Sequence, residues 1–159
     1  QQIEIVNYTS ADALAFESLN REWVERYFIL EETDKRVLGD PDHYIIEKGG
    51  VILLAKVEGQ VIGTVALIAD GHTFELTKLA VSPCYQGLGI GRKLTKAALK
   101  KASEMVDSVY LLTSSTLGPA NHLYNKLGFV EMQPSAEDKA LYARCDLRYE
   151  YHFNEAQEA

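Results

Sequence analysis

From Ile3 to Tyr8 apolar and polar residues alternate, the two-residue period of a half-buried strand. Thr9 or Ser10 can cap a following helix, along which Phe16, Leu19, Trp23, Tyr27 and Leu30 recur at three- and four-residue steps and define one apolar face. Phe16 and Leu19 are expected to point into a core. Residues 31–42 are polar and contain Gly39 and Pro41, which predicts a loop or a short helix. Apolar runs at 51–57 and 61–69 flank Glu58-Gly59-Gln60, the pattern of a β-hairpin with a short glycine turn. After a second turn at Asp70-Gly71, a further strand is expected over 74–81. A helix follows from about Ile90, with Leu94, Ala98, Ala102 and Met105 on its buried side. The short apolar run 109–113 suits a buried strand. Pro119 and Gly128 bracket another helix in the usual proline-first, glycine-last order, with Ala120, Leu123, Tyr124 and Leu127 on one face. Residues 129–132 and 140–151 are expected to form the last strands, and the tail from Asn154 to fray. No internal repeat or low-complexity segment interrupts this order, which reads β-α-(α)-β-β-β-α-β-α-β-β.

The junction between the 74–81 strand and the helix at Ile90 carries the clearest chemistry. It contains Gln86-Gly87-Leu88-Gly89-Ile90-Gly91-Arg92. Glycines let backbone approach a ligand closely, and the helix start behind them offers unpaired N–H groups and the positive end of a dipole. Together these make an anion cradle, most often for phosphates. Two familiar phosphate loops fail on spacing. Counting from Gly87, the second glycine of a P-loop would fall on Arg92, and so would the third glycine of a dinucleotide fingerprint. The acidic residue such a fingerprint needs about 20 positions on finds only Glu104 or Asp107, near the end of the helix rather than at a strand end.

Composition narrows the class. The chain has 159 residues, enough for a single domain spanning 1–159 with a sizeable core. It is 47% hydrophobic and 25% charged, ordinary for a water-soluble globular domain. No apolar run approaches the ~20 residues of a membrane span, and no secretory signal pattern opens the chain, so no membrane association is expected. The first residue is Gln1, as expected of a processed or trimmed start. Cys84 and Cys145 form neither a disulfide framework nor a zinc spacing, and a reduced cytoplasmic setting is expected. His43, His72, His122 and His152 show no metal-ligand spacing, so no metal is expected. The net charge of −7 argues against nucleic-acid binding and is compatible with a cationic amine substrate. Against that background Arg92, Lys93, Lys96, Lys100 and Lys101 are a local basic exception behind the glycine loop. Of these, Arg92 and Lys93 are close enough to serve a phosphate.

The pattern Gln/Arg-x-x-Gly-x-Gly/Ala at residues 86–91 resembles the acetyl-CoA loop of the GNAT family of N-acetyltransferases. A second stretch, Asn121-His122-Leu123-Tyr124-Asn125-Lys126-Leu127-Gly128-Phe129, resembles that family's downstream signature. The resemblance is specific from about residue 51 to 129 and elsewhere rests on element order. It implies the GNAT fold, an α/β (α+β) domain with a mixed, mostly antiparallel sheet of about seven strands flanked by helices. It implies acetyl-CoA as cosubstrate. Gln86, Gly87, Leu88, Gly89, Ile90, Gly91 and Arg92 would then hold its pyrophosphate, and Leu79, Ala80 and Val81 would pair with its pantetheine arm. Asn121 would contact the pantetheine or pyrophosphate, and Tyr124 would sit beside the sulfur. Trp23, Tyr27 and Phe28 lie where such proteins often build the acceptor pocket, and 31–42 corresponds to a variable region that shapes substrate choice.

The chemistry so implied is direct attack of an amine on a thioester within a ternary complex. An oxyanion develops, which a backbone N–H near Val81 would stabilise. The leaving thiolate needs a proton or a hydrogen bond; with a thiol pKa of ~8.5 against ~10 for tyrosine, Tyr124 serves best as a positioned donor. A base would deprotonate an alkylammonium of pKa ~10.4, and Glu75 is the first candidate, Glu32 another. Cys84 as an acyl-enzyme nucleophile fits poorly, since the family usually transfers directly and no histidine stands near it in sequence. The acceptor stays open among small-molecule amines, amino acid derivatives, peptide N-termini and protein lysines, and a homodimer is a common family assembly. The rival reading is a catalytically weak acyl-CoA sensor or regulatory module.

Overall fold

The computed structural model describes residues 2–153; the tail from Asn154 lies outside the described residues. Its strands are β1 (Ile3–Asn7), β2 (Val51–Val57), β3 (Gln60–Asp70), β4 (Thr73–Val81), β5 (Ser108–Thr113), β6 (Val130–Met132) and β7 (Leu147–His152). The helices are α1 (Ala13–Tyr27), α2 (Glu32–Gly39), α3 (Ile90–Ser103), α4 (Gly118–Leu127) and α5 (Ala136–Leu141). All seven strands join one sheet in the order β1-β2-β3-β4-β5-β7-β6. Each neighbouring pair is antiparallel except β4 and β5, so the sheet is mixed and mostly antiparallel, as expected.

The β2–β3 hairpin turns through Glu58 and Gly59, both at positive φ (50° and 80°), the primed geometry that suits strand twist. One core packs α3 and α4 on one face through Leu94, Ala98, Leu111 and Tyr124; a second packs α1 and α2 on the other through Phe16, Leu38, Ile45 and Leu54. Burying each large side chain contributes about 1.5–3 kcal/mol.

Three expectations about helices change. The buried stripe of α1 is Phe16, Asn20 and Val24, with Leu19 and Trp23 half-buried and Tyr27 47% exposed. The polar Asn20 wins its place because its amide bonds the Phe16 carbonyl and the Thr64 hydroxyl. Met105 lies past the end of α3 and is half exposed. The expected strand at 140–151 is shorter and is preceded by α5, which a reciprocal capping box opens: Asp138 N–H donates to Ser135 Oγ, and Ser135 N–H to the Asp138 carboxylate.

Two features of β4 open the sheet. It pairs with β5 only at Phe74–Val109 and Glu75–Tyr110, and beyond that point the strands splay. Its pairing with β3 shifts between Thr64 and Ala66, a bulge at which Lys78 takes φ 55°.

Candidate active site

A cavity of about 480 Å³ fills the splay. Leu76–Leu79 and Val81 line one side of it, and Leu111–Ser114 line the other. The start of α3, the α4 face carrying Ala120, Leu123 and Tyr124, Asn20, Trp23, Val24 and Phe28 of the α1 region, and Tyr142, Arg144 and Cys145 also line it.

At the loop end, Gly87 (φ 81°) and Gly89 (φ 78°) hold backbone conformations that favour glycine, and a Cβ on either would meet nothing within 4 Å. Gly89 is the residue before α3. From Gly87 through Arg92 no backbone N–H donates to an acceptor among the described residues; the next to do so is Lys93, to the Gly89 carbonyl. Gly87, Gly89, Gly91 and Arg92 line the cavity. This is a run of free donors facing open space at a helix N-terminus, an arrangement that receives anions. Gln86 also lines the cavity, and its amide folds back onto the Val81 carbonyl at 3.2 Å.

The bulge is buttressed from α1 through β3. Asn20 donates to Thr64 Oγ1 at 3.0 Å, and Thr64 donates to the Lys78 carbonyl at 2.7 Å, both side chains being buried. This chain holds the one non-glycine positive φ in β4, a conformation that costs about 1–3 kcal/mol when unsupported. Thr64→Val removes the hydroxyl and orphans two partners, so urea denaturation is expected to show a loss of about 2 kcal/mol. A loss below about 0.5 kcal/mol, within the range of an inert surface change, would mean the backbone holds the bulge unaided.

Tyr124 is 6% exposed, lies between Phe129 and Tyr149, and lines the cavity. Its hydroxyl has no partner among the described residues and is not sealed from the cavity. Burial pushes its pKa well above the ordinary tyrosine value.

Of the other expected residues, Leu79 and Val81 line the cavity, whereas Ala80 and Ile90 are buried away from it and Leu88 is 60% exposed. Asn121 does not line it. Its Nδ2 donates to the Ser114 carbonyl at 2.9 Å, pinning the β5–α4 connection, and its Oδ1 is buried without a partner. Glu75 stands at the last paired position before the splay, is 7% exposed and does not line the cavity. Burial pushes its pKa up to about 7, with Lys78 opposing and Asp70 reinforcing the shift. Glu32 is exposed and sits 4.0 Å from Lys35; Cys84 is exposed and off the cavity. Trp23 and Phe28 line the cavity, but Tyr27 does not.

The sequence reading missed a buried ionic cluster that joins β4, α2 and the segment before β7. Lys78 Nζ donates to Asp34 at 3.2 Å and to the Tyr142 hydroxyl at 3.1 Å. Arg144 grips Asp34 with two hydrogen bonds (2.7 and 2.9 Å) and reaches Glu31 at 3.0 Å. Burial opposes the Asp34 charge, but Arg144 and Lys78 outweigh it and hold the pKa at about 2. The only signal for this was a lysine inside the otherwise apolar end of β4.

Among the described residues no helix is long and apolar enough to cross a membrane, and no three His, Cys, Asp or Glu side chains are placed to hold a metal.

A family profile described as an acetyltransferase (GNAT) domain matches residues 48–131. An N-alpha-acetyltransferase of Sulfurisphaera tokodaii is 30% identical over 107 residues, 57% of this chain and 62% of that protein, so the match spans less than two thirds of the relative. An acetyltransferase of the GNAT family from Staphylococcus aureus Mu50 superposes with a TM-score of 0.85 over 95% of this chain and 99% of its own, at 22% identity. The PaiA N-acetyltransferase of Thermoplasma acidophilum, in complex with coenzyme A, superposes with a TM-score of 0.74 over 96% and 99%, at 18% identity. At these identities the structures attest the fold.

Proposed function

The chain belongs to the acetyltransferase (GNAT) family, and on that premise we propose that it transfers an acetyl group from acetyl-CoA to an amine by direct attack in a ternary complex. The observation that carries this reading is the unbroken run of free N–H groups from Gly87 to Arg92 beside a cavity that also holds Tyr124. The cradle fits a pyrophosphate: open and without a side chain at Gly87, Gly89 and Gly91, donor-rich and flanked by Arg92.

When bound, acetyl-CoA supplies an activated acyl group: the amine nitrogen bonds the carbonyl carbon, the C–S bond breaks, and CoA leaves as a thiol. The glycine loop and Arg92 hold the phosphates. Exposed strand backbone at Leu79 and Val81, beyond the last pairing with β5, takes the pantetheine arm. The bulge, fixed by Thr64, presents backbone N–H to the oxyanion. Tyr124 gives the departing sulfur a hydrogen bond; its raised pKa makes outright loss of its proton unfavourable, so its part is that of a positioned donor. Glu75, off the cavity lining, reaches a substrate proton only through water or neighbouring hydroxyls.

Tyr124→Phe is expected to lower turnover about 10- to 100-fold while leaving acetyl-CoA affinity within about twofold. Unchanged turnover would reduce Tyr124 to packing. The reading as a whole is tested by calorimetric titration with acetyl-CoA, with ATP and NAD as controls, followed by thiol release across an amine panel. Micromolar binding with turnover supports it. Binding without turnover on any amine replaces it with the sensor reading, and no binding removes the glycine loop as its basis.

A further inference from the structure

The chain carries 23 acidic residues and a net charge of −7, yet no aspartate or glutamate is among the described residues that line the cavity. Its charged lining is Lys78, Arg92 and Arg144. Arg92 follows the glycine loop; Lys78 lies on β4 and Arg144 just before β7, with Tyr142 between them.

The carboxylates that balance these two cations stand behind them. The Asp34 side chain is 0% exposed, Glu31 opens elsewhere, and neither lines the cavity. Of the two cations Arg144 is the more open, its side chain 16% exposed against 4% for Lys78. Lys78 has three ammonium hydrogens and two recorded acceptors; Arg144 has five N–H groups, of which three are engaged. The Tyr142 hydroxyl accepts from Lys78, which leaves its own proton without an acceptor among the described residues. Arg144 is also clamped between the Phe28 and Tyr142 rings, 5.5 and 4.7 Å from the guanidinium carbon. A purely structural clamp would have no reason to face the cavity, and an acceptor bearing only ammonium groups would meet a wall of its own sign.

Resting on the acetyltransferase reading, we propose that the acceptor amine bears a carboxylate, which docks on Lys78, Tyr142 and Arg144 and thereby aims the amine at the splay. An amino acid is the simplest such molecule, and a peptide with an acidic first residue shares the chemistry.

The test compares acetylation of matched pairs: alanine with alaninamide, aspartate with asparagine, tripeptides starting Asp or Asn, and a linear diamine as the cationic counterpart. Calorimetry on the CoA-saturated protein reads carboxylate binding independently of turnover. The amide that replaces the docking carboxylate is expected to lose at least tenfold in kcat/KM, mainly through KM: alaninamide against alanine for an α-carboxylate, asparagine against aspartate for a side-chain one. Arg144→Gln should erase most of that preference. Should Arg144→Gln fail to fold, Tyr142→Phe keeps every ion pair and is expected to narrow the carboxylate-to-amide ratio of kcat/KM several-fold. If free amino acids win, the source is a metabolite; if only the Asp tripeptide wins, it is a peptide; both uphold the carboxylate. Equal use of both members in every pair, or preference for the diamine, overturns the proposal. Acetyl-CoA titration run in parallel separates the two failures, since a protein that binds and transfers but ignores the carboxylate sinks only this inference.

Discussion

Gly89→Asp is expected to weaken acetyl-CoA binding at least about 100-fold, because it sets a carboxylate among the donors that would hold a pyrophosphate; like charges so juxtaposed cost several kcal/mol, and each 1.4 kcal/mol is tenfold. Packing does not explain such a loss in advance. A Cβ at Gly89 meets nothing within 4 Å, so the fold absorbs only the strain of φ 78°, about 1–2 kcal/mol. Gly89→Ala carries that strain without the charge and serves as the control. Calorimetric titration on both variants, with thermal melts to verify folding, checks the expectation. Retained affinity in the aspartate variant would remove the phosphates from this loop.

The second large effect is on stability. Asp34→Ala leaves Lys78 and Arg144 buried without their shared partner, and stranded buried charges cost about 3–5 kcal/mol. For a chain of this length that lowers the melting temperature by about 10 °C. The charge states add a signature. The Asp34 pKa lies below its ordinary value, at about 2, so its stabilisation is complete above the ordinary carboxylate range and is lost as pH falls toward 2. Wild type should lose stability across that acid window, and the alanine variant should lose correspondingly less. Denaturation midpoints measured from neutral to acid pH decide; parallel curves would show the cluster to be energetically silent.

Much of this molecule was legible residue by residue because the signals were local. Glu58-Gly59 demands a primed turn, the 86–91 glycines demand open backbone, and a four-residue period puts Leu94, Ala98 and Ala102 on one side of α3. The capping box Ser135–Asp138 was equally local, but the alternation that follows it hid a helix shorter than two full turns. Asn121 and Tyr124 do share a face of α4, yet spacing says nothing about the Ser114 carbonyl that captures the asparagine amide. The ionic cluster was beyond such reading altogether. Its partners are separated by 44 residues (Lys78 and Asp34) and 110 residues (Arg144 and Asp34), and only the finished sheet brings them together. The charged wall at Lys78 and Arg144 is written in these long-range contacts; the glycine loop is written in consecutive residues.

Glu75 sets a further property of the whole molecule. With its folded pKa near 7 against about 4.3 in an open chain, it holds a fraction of a proton at neutral pH that the unfolded chain cannot keep. Unfolding in neutral solution therefore releases hydrogen ion to the buffer, and the stability this lends, complete below the open-chain value of about 4, is lost as pH rises from there through about 7. The heat absorbed on melting will then differ between phosphate and Tris at the same pH, in proportion to each buffer's own ionisation enthalpy.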